Sequence, residues 1–336
     1  MPLLPRLEKK VNTVKHPFVG AVAFAVSASL VSELAGSAED FPSKPVRFLV
    51  GFAPGGGADI VTRALASRLT ETLGQQVIVD NRPGAGGNIA TAIVARSNPD
   101  GHTLLMGNIG QLAVAPSLYS NLPFDLTKDL APVTKAADST NILCLHSAVP
   151  ATNVQELVAL AKIKSLNGGS SGIGTTGHLA LELFNNMAGT HIVHVPYKGG
   201  GPVMLDLLAG NIQLVFSNPA SAMAHIKAGK IKAIAVTTAK RSQLMPELPT
   251  VAESGLPEFE ANNWIGVVVA AATPRAVINR LNKEIVAILQ TRGLGDFLFR
   301  QGFEANPGAP AQFSSYMKSE SVKWARVVKD AGIKGE

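Results

Sequence analysis

Short apolar runs alternate along the chain with glycine-rich turns and with stretches whose apolar residues recur at helical spacing. Residues 46–52, VRFLVGF, predict a buried strand, and residues 53–57, APGGG, predict the turn that follows it. A helix should then run to Gly74, since glycine commonly ends a helix. This succession of strand, turn and helix predicts an alternating α/β fold.

The same succession continues after residue 75 and restarts in the middle of the chain. Further strands are predicted at residues 76–81, 102–107, 192–197, 212–217 and 231–238, and further helices at 88–96, 154–161, 275–290 and 313–328, with two more ending at Gly189 and beginning at Pro202. The restart predicts two α/β lobes, and the late helices close the chain.

The stretch GSSGIGTTGH, residues 169–178, contains the dinucleotide-binding spacing G-x-G-x-x-G at Gly172, Gly174 and Gly177. Such a site needs a strand before the first glycine, but the preceding SLNGGSS is a poor strand and GSSGIGTT, residues 169–176, is predicted to be a loop. It also needs an acidic residue about 20 positions further on, where this chain has Ile192. The sequence therefore predicts no nicotinamide cofactor, and we expect no other cofactor.

The same loop is better suited to hold an anion. Its hydroxyl side chains are those of Ser170, Ser171, Thr175 and Thr176. They stand with glycine amides just before a helix, where free N–H groups and the helix dipole attract negative charge. Residues 52–59, FAPGGGAD, repeat this arrangement without the lysine of a phosphate-binding P-loop. Two such loops predict a clamshell that closes on an acidic ligand, and a flexible turn with an ordinary helix cap is the alternative.

The beginning of the chain has the pattern of an export signal. Basic residues up to Lys15 precede an apolar run at residues 17–31, and Gly36 and Ala38 fit the positions before a signal-peptidase cut. The run of about 15 residues is short for a bilayer span. We therefore predict an exported protein with a signal peptide at residues 1–38, and an uncleaved anchor helix is the alternative.

Composition and charge argue against some partners. The net charge is +6, but the basic residues are scattered and only 5% of residues are aromatic, so no basic stripe with stacking side chains indicates nucleic acid. The single cysteine, Cys144, lies in the apolar run ILCL and is predicted to be buried and inert. We expect a monomer that binds no nucleic acid.

A rival interpretation is an exported serine hydrolase that uses Ser170 or Ser171 with His178 and an acid. The one stretch with G-x-S-x-G spacing, GGSSG, lacks the strand that should lead into a nucleophile elbow. The histidines show no H-E-x-x-H or other zinc spacing, and His191 and His194 are predicted to be surface or packing residues of a strand. We therefore expect no enzymatic activity and no metal site.

Six motifs together carry a family resemblance. In chain order they are FPSKPVRFLVGFAPGGGADIVTRALA, VIVDNRPGAGGN, NPDGHTLLMG, GSSGIGTTGHLALELF, IVHVPYKGGGP and LPTVAESGLPEFE. They resemble the substrate-binding receptors of tripartite tricarboxylate transporters, the Bug or TctC family, over essentially the whole chain after residue 39. The resemblance implies a two-lobed periplasmic binding protein of type II, the Venus flytrap fold, with two crossing strands. We place residues 39–139 plus 260–336 in lobe 1 and residues 140–259 in lobe 2.

The resemblance also implies which residues bind the ligand. Family members hold one carboxylate largely through backbone amides and ordered waters at the two loops. The matching residues are Phe52, Ala53, Gly55, Gly56 and Asp59 in lobe 1 and Ser171, Gly174, Thr175 and Thr176 in lobe 2, with His178 and Tyr197 beside them. Many relatives have an acidic residue where this chain has Ser217, so we expect a ligand that ends in a neutral or second acidic group rather than an amine.

The family role implies a small carboxylate ligand and, as partners, the membrane permease subunits of a tripartite tricarboxylate transporter. Such a receptor binds without chemistry, and the ligand stabilises the closed form that the permease recognises. A ligand sensor for a membrane signalling protein is the alternative, because it would use the same closed lobes.

Overall fold

The structure, a computed structural model, describes residues 41–197 and 199–334, and the predicted signal peptide lies outside them. Within the described residues, strands β1 to β11 are Val46–Val50, Val77–Asn81, Thr103–Asn108, Leu130–Ser139, Ile142–His146, Asn167–Ser170, Val193–Pro196, Leu214–Ser217, Ile231–Val236, Asn263–Ala270 and Glu304–Ala305. Helices α1 to α10 are Gly57–Leu73, Asn88–Ala95, Ala115–Leu118, Val154–Ile163, Thr176–Ala188, Gly200–Ala209, Pro219–Lys227, Arg275–Leu289, Arg292–Arg300 and Pro310–Asp330. In this part of the chain, no helix has the length and apolarity needed to cross a bilayer.

The strands form two sheets, and each contains parallel strands that run into helices. The first sheet has the order β11-β4-β10-β3-β1-β2, in which β1 is parallel to β2 and β3, while β10 is antiparallel to β3 and β4. The second has the order β7-β6-β8-β5-β9, in which β6 is parallel to β7 and β8. The chain passes between the sheets after β4 and returns before β10. This is the predicted two-lobed fold with two crossing segments.

One hydrophobic core continues from the first sheet into the second. Leu49 and Leu105 of the first sheet belong to the same cluster of buried side chains as Leu143 and Phe216 of the second. On β5, Cys144 is fully buried, and burial raises the pKa of its thiol. The predicted burial of Cys144 is therefore confirmed, and the raised pKa lowers the fraction of thiolate on which reactivity depends.

Helix α10 ties the returning strand β10 to the first sheet through a buried acid. Glu320 is 7% exposed, and its Oε2 accepts hydrogen bonds of 3.0 Å from the indole N–H groups of Trp264 on β10 and Trp324 on α10. Lys323 lies 3.4 Å from the other carboxylate oxygen. A buried carboxylate is costly without such partners, so loss of either indole N–H would destabilise this packing of α10 on β10.

Strand β6 is the main difference from the sequence prediction, because residues 167–170 form a strand where we predicted no strand. A methyl group at Gly168 would lie 2.9 Å from Leu181, and one at Gly169 would lie 2.5 Å from Val203. Helices therefore pack directly on the β6 backbone, and glycine permits this approach although it is a poor strand former. Two arguments from the sequence were therefore wrong: the lack of a strand before the first glycine of the dinucleotide spacing, and the lack of a strand that leads into GGSSG.

The other predicted elements are present with ends shifted by at most three residues, but several elements were not predicted, namely β4, β5, β10, β11, α3, α7 and α9. Strand β4 has the sequence LAPVTKAADS, whose proline and charged residues are not typical of a strand. Its Pro132 pairs with Val268 of β10 at a register shift of the ladder. The strand exists because β10 supplies a partner over its whole length.

Gly169→Ala should destabilise the protein by about 1–3 kcal/mol, because the added methyl group overpacks the β6 interface. The matched control is Gly293→Ala in α9, where a methyl group meets no atom within 4 Å. That variant should gain about 0.5–1 kcal/mol from helix propensity. Urea unfolding measures both. Equal stability of the two variants would contradict the close packing on β6.

Candidate functional site

A cleft lies between the two sheets, where their parallel strands end. It comprises two adjoining cavities of about 200 and 510 Å³. The residues that line both are Phe52, Asn108, Ser171, Thr175, Gly200, Asn218 and Asn263. Because parallel strands bring their carboxyl ends to one edge of a sheet, loops from both halves of the chain meet at this cleft.

The loop between β1 and α1 forms one wall and is held from behind by Asp59. This carboxylate is 2% exposed and accepts hydrogen bonds of 2.9 Å from the backbone N–H of Gly55 and from Nδ2 of Asn81, and Arg63 pairs with it at 3.0 Å. Burial raises the pKa of Asp59, but the hydrogen bonds from Arg63, Gly55 and Asn81 together hold it below its usual value. Asp59 therefore stays ionised at neutral pH and shapes the loop.

The loop between β6 and α5 forms the opposite wall and is also held by internal hydrogen bonds. Oγ1 of Thr175 donates to the carbonyl of Gly172 over 2.7 Å. The backbone N–H of Gly174 donates to Nδ1 of His178 over 3.1 Å. His178 is 4% exposed, so this imidazole supports the loop from the protein side rather than from the cleft.

Three helices begin at the cleft without a side-chain hydrogen bond at their N-cap. The N-cap residues are Gly56 for α1, Thr175 for α5 and Gly199 for α6. The first N–H groups of a helix have no partner within the helix, and the helix dipole adds partial positive charge there. All three N-caps line the cavities, so the cleft collects backbone donors suited to an anion.

No charged side chain lines either cavity among residues 41–197 and 199–334. The polar side chains come from serines, threonines and amides, including four asparagines: Asn108, Asn141, Asn218 and Asn263. Oδ1 of Asn263 is buried and has no hydrogen-bond partner in the described part of the chain. The cleft can therefore offer hydrogen bonds and dipoles to a ligand but, within these residues, no ion pair.

The structure brings most of the predicted binding residues to the cleft. Those on the cavity walls are Phe52, Ala53, Gly55, Gly56, Ser171, Gly174, Thr175, Thr176 and Ser217. Asp59, His178 and Tyr197 do not line the cavities; the first two hold the loops, and the hydroxyl of Tyr197 donates to Asp206 over 2.6 Å. That these wall residues bind a ligand stays a prediction.

Sequence reasoning missed the cleft asparagines. Asn108 is the last residue of β3, and Asn218 directly follows β8 and caps α7 by accepting the N–H of Ser221. A polar residue at the end of a buried strand was a usable signal for these two. Asn263 begins β10 and offered no such signal, because only the return of the chain brings it to the cleft.

Ser170 and the histidines do not form the predicted alternative, a hydrolase triad. Oγ of Ser170 lies 2.7 Å from Nε2 of His194, whereas Nδ1 of His178 accepts from Gly174 and is not free to act on a serine. The nearest acid, Glu182, lies 3.6 Å from His178. His194 stacks on His178 with ring centroids 3.7 Å apart, in agreement with a packing role.

Two α/β sheets joined by two crossings, with a donor-lined cleft between them, define a two-lobed solute-binding protein. A sequence model of the tripartite tricarboxylate transporter family receptor matches residues 61–333, and the chain belongs to this family. Its relatives and structural neighbours are solute-binding receptors rather than enzymes, and this protein is a receptor. The predicted family and the absence of enzymatic activity are thereby confirmed.

Individual relatives agree over nearly their whole length. Protein BugT of Bordetella pertussis is 35% identical over 301 residues, which are 89% of this chain and 92% of BugT. An R. palustris protein solved with adipate is 36% identical, with a TM-score of 0.80 over 88% of this chain and 99% of its own. MatC of Rhodopseudomonas palustris, solved with bound malate, is 28% identical, with a TM-score of 0.76 over 86% of this chain and all of its own.

Asp59→Ala should lower the free energy of unfolding at neutral pH by about 1–3 kcal/mol, because it leaves the Gly55 N–H without its acceptor and removes one of the two acceptors of Asn81 Nδ2. Since the pKa of Asp59 is lowered by folding, its contribution is complete at neutral pH and is lost as the pH falls through the folded-state pKa. The difference between variant and wild type should therefore shrink in acid. Urea unfolding as a function of pH measures this.

The control is Asp330→Ala, which removes an exposed partner of Arg326 at 3.7 Å. This surface pair should contribute less than about 0.5 kcal/mol. If both alanine variants lost the same stability, Asp59 would not hold the loop.

Proposed function

We propose that this protein is a periplasmic receptor that captures a small organic carboxylate in the cleft. The observation that carries the proposal is the convergence of three uncapped helix starts on cavity walls without a charged side chain in the described residues. An anion finds donors and helix dipoles there, whereas a cation finds no acidic partner among the described residues that line the walls. The relatives solved with adipate and with malate support a carboxylate as the ligand class.

The smaller cavity is lined by both apolar and neutral polar groups. Ile173, Val203 and Val215 contribute apolar surface, while Ser217 and Asn141 contribute neutral polar groups. A second carboxylate or a hydroxyl could hydrogen-bond to such groups, but an ammonium group would lack a counter-charge. We therefore propose a ligand with a carboxylate at one end and a neutral or acidic group at the other.

We base the transport role on closure of the two lobes. Lobe 1 comprises residues 39–139 and 260–336, and lobe 2 comprises residues 140–259. A ligand that contacts the loops of both lobes binds the closed form more tightly and so shifts the population toward it. We propose that the closed form is the one recognised by the permease subunits of a tripartite tricarboxylate transporter. Residues 1–38 would direct export to the periplasm and be removed.

Adipate, malate and further mono- and dicarboxylates should include at least one compound that raises the midpoint of thermal unfolding, because a ligand bound only by the folded state stabilises it. Hexamethylenediamine, which matches adipate in length but carries two positive charges, is the control and should produce no shift. Isothermal titration calorimetry then gives the affinity. Stabilisation by the diamine and by none of the acids would contradict the proposed ligand class.

Ser217→Asp should weaken binding of the best carboxylate by about 100-fold, because it places a negative charge on a wall of the small cavity. Ser217→Asn has nearly the same shape as the aspartate but no charge, so it should bind with an affinity close to that of the wild type. Calorimetry of both variants separates charge from shape. Equal losses for aspartate and asparagine would argue against a carboxylate at this wall.

A further inference from the structure

The two cleft loops share one hydrogen-bonding device. In lobe 1, the N–H of Gly55 donates to the side chain of Asp59, and in lobe 2 the N–H of Gly174 donates to the side chain of His178. Both acceptors occupy the third position of their helix, four residues after the glycine. Both glycines have positive φ, 83° and 73°, so each loop turns sharply just before its helix begins. The loops are therefore fixed by equivalent contacts but with different acceptors.

The difference in acceptor gives the two loops different responses to protons. The carboxylate of Asp59 accepts from Gly55 at all pH values above its lowered pKa. An imidazole nitrogen accepts a hydrogen bond only while it carries no proton. Nδ1 of His178 can therefore hold the Gly174 amide in the neutral ring and not in the imidazolium.

The surroundings of His178 contain few groups that could replace this contact. Strand β7 contributes the stacked ring of His194, and the same helix contributes Glu182, 3.6 Å from Nε2. Strand β6 contributes Ser170, which is uncharged and bonded to His194, and β8 packs its backbone against the helix start. Helix α10 also packs on α5, and its buried acid, Glu320, is already bonded to two indoles.

The groups around the stacked rings of His178 and His194 act on a positive charge in opposite directions. Burial, followed by the neighbouring His178, lowers the pKa of His194 to about 4, so His194 is the uncharged member of the stack above that pH. The N-terminal turn of α5 disfavours a positive charge, while Glu182 favours one. Of the two stacked rings, His178 is the one whose Nε2 lies 3.6 Å from a carboxylate.

The position of Gly174 connects this contact to the other lobe. A methyl group at Gly174 would collide with Leu118 of α3, and one at Gly110 would lie 3.7 Å from the Gly174 carbonyl. Gly174 and Gly110 also line the smaller cavity. Movement of the Gly174 peptide would thus disturb both the ligand cavity and the contact between the lobes.

We propose that His178 is a positioning residue that holds the Gly174 amide, and that the receptor binds its ligand tightly only while this imidazole is neutral. The imidazole does not touch the ligand; it acts through the loop. The inference about the ligand rests on the proposed carboxylate-binding function, but the state of the Gly174 amide can be measured without any ligand.

The decisive variants are His178→Asn and His178→Leu. Asparagine places an acceptor oxygen near the position of Nδ1 and does not titrate, whereas leucine removes the acceptor. Binding of adipate, or of the best carboxylate of the panel, should weaken in the wild type by up to about tenfold per pH unit once His178 protonates, which is the limit for one linked proton. In His178→Asn, the weakening of binding that is due to protonation of His178 should be absent. His178→Leu should bind about tenfold more weakly than wild type even at neutral pH.

Because the carboxylate ligand also takes up protons as the pH falls, the variants are compared with the wild type at each pH, where the ligand is in the same state. His191→Asn, the same substitution at an exposed histidine, is the matched control and should keep the wild-type profile. Hydrogen exchange of the Gly174 amide without ligand should be slow in wild type and His178→Asn and fast in His178→Leu at neutral pH. If His178→Leu does not fold, the comparison of wild type with His178→Asn still tests whether ligand affinity depends on protonation of His178.

Two results would overturn the inference. One is a wild-type pH profile equal to that of His178→Asn, and the other is a Gly174 amide that exchanges equally slowly in the leucine variant. Failure of every carboxylate to bind the wild type would instead defeat the proposed function, and the hydrogen-exchange comparison would still test the role of His178.

Discussion

The donors of the cleft are backbone N–H groups that their own helices leave without a partner, and within residues 41–197 and 199–334 no charged side chain lines its walls. Helices α1, α5 and α6 begin at this cleft, and their N-caps Gly56, Thr175 and Gly199 make no side-chain capping bond. A side-chain cap stabilises a helix by about 1 kcal/mol relative to alanine but by only a few tenths relative to glycine, so the open starts at Gly56 and Gly199 cost little stability. Under the proposed function, a bound carboxylate would supply an acceptor for these N–H groups and so stabilise the ligand-bound state.

The free donors at the front of the cleft require loops that are fixed at the back. Asp59 and His178 accept the N–H groups of Gly55 and Gly174 from positions that are almost fully buried. Each loop therefore keeps its shape without using the donors that face the ligand cavity. Close packing does the same for β6, where Gly169 lets neighbouring side chains rest on the backbone and so sets where the second loop begins.

Prediction from the sequence succeeded where one local signal was sufficient. Glycine-rich turns between apolar runs located both cleft loops, and Gly74 and Gly189 end their helices as expected. It failed where a distant partner decides the local structure. Strand β6 reads NGGS and β4 contains Pro132, yet both form because neighbouring strands pair with them. His178 and Tyr197 were expected beside the ligand, but neither lines the cavities, and their hydrogen bonds go to Gly174 and Asp206.

The sequence by itself determined the α/β alternation, the two glycine-rich loops and the family, because each depends on patterns within short contiguous stretches of residues. Only the tertiary structure decided which face each loop residue presents and which distant residues join them. Asn108, Asn218 and Asn263 come from three different strand ends and meet at one cleft because of the order in which their strands pair. Strand order is set by long-range hydrogen bonds and shared burial, and neither is visible in a local pattern.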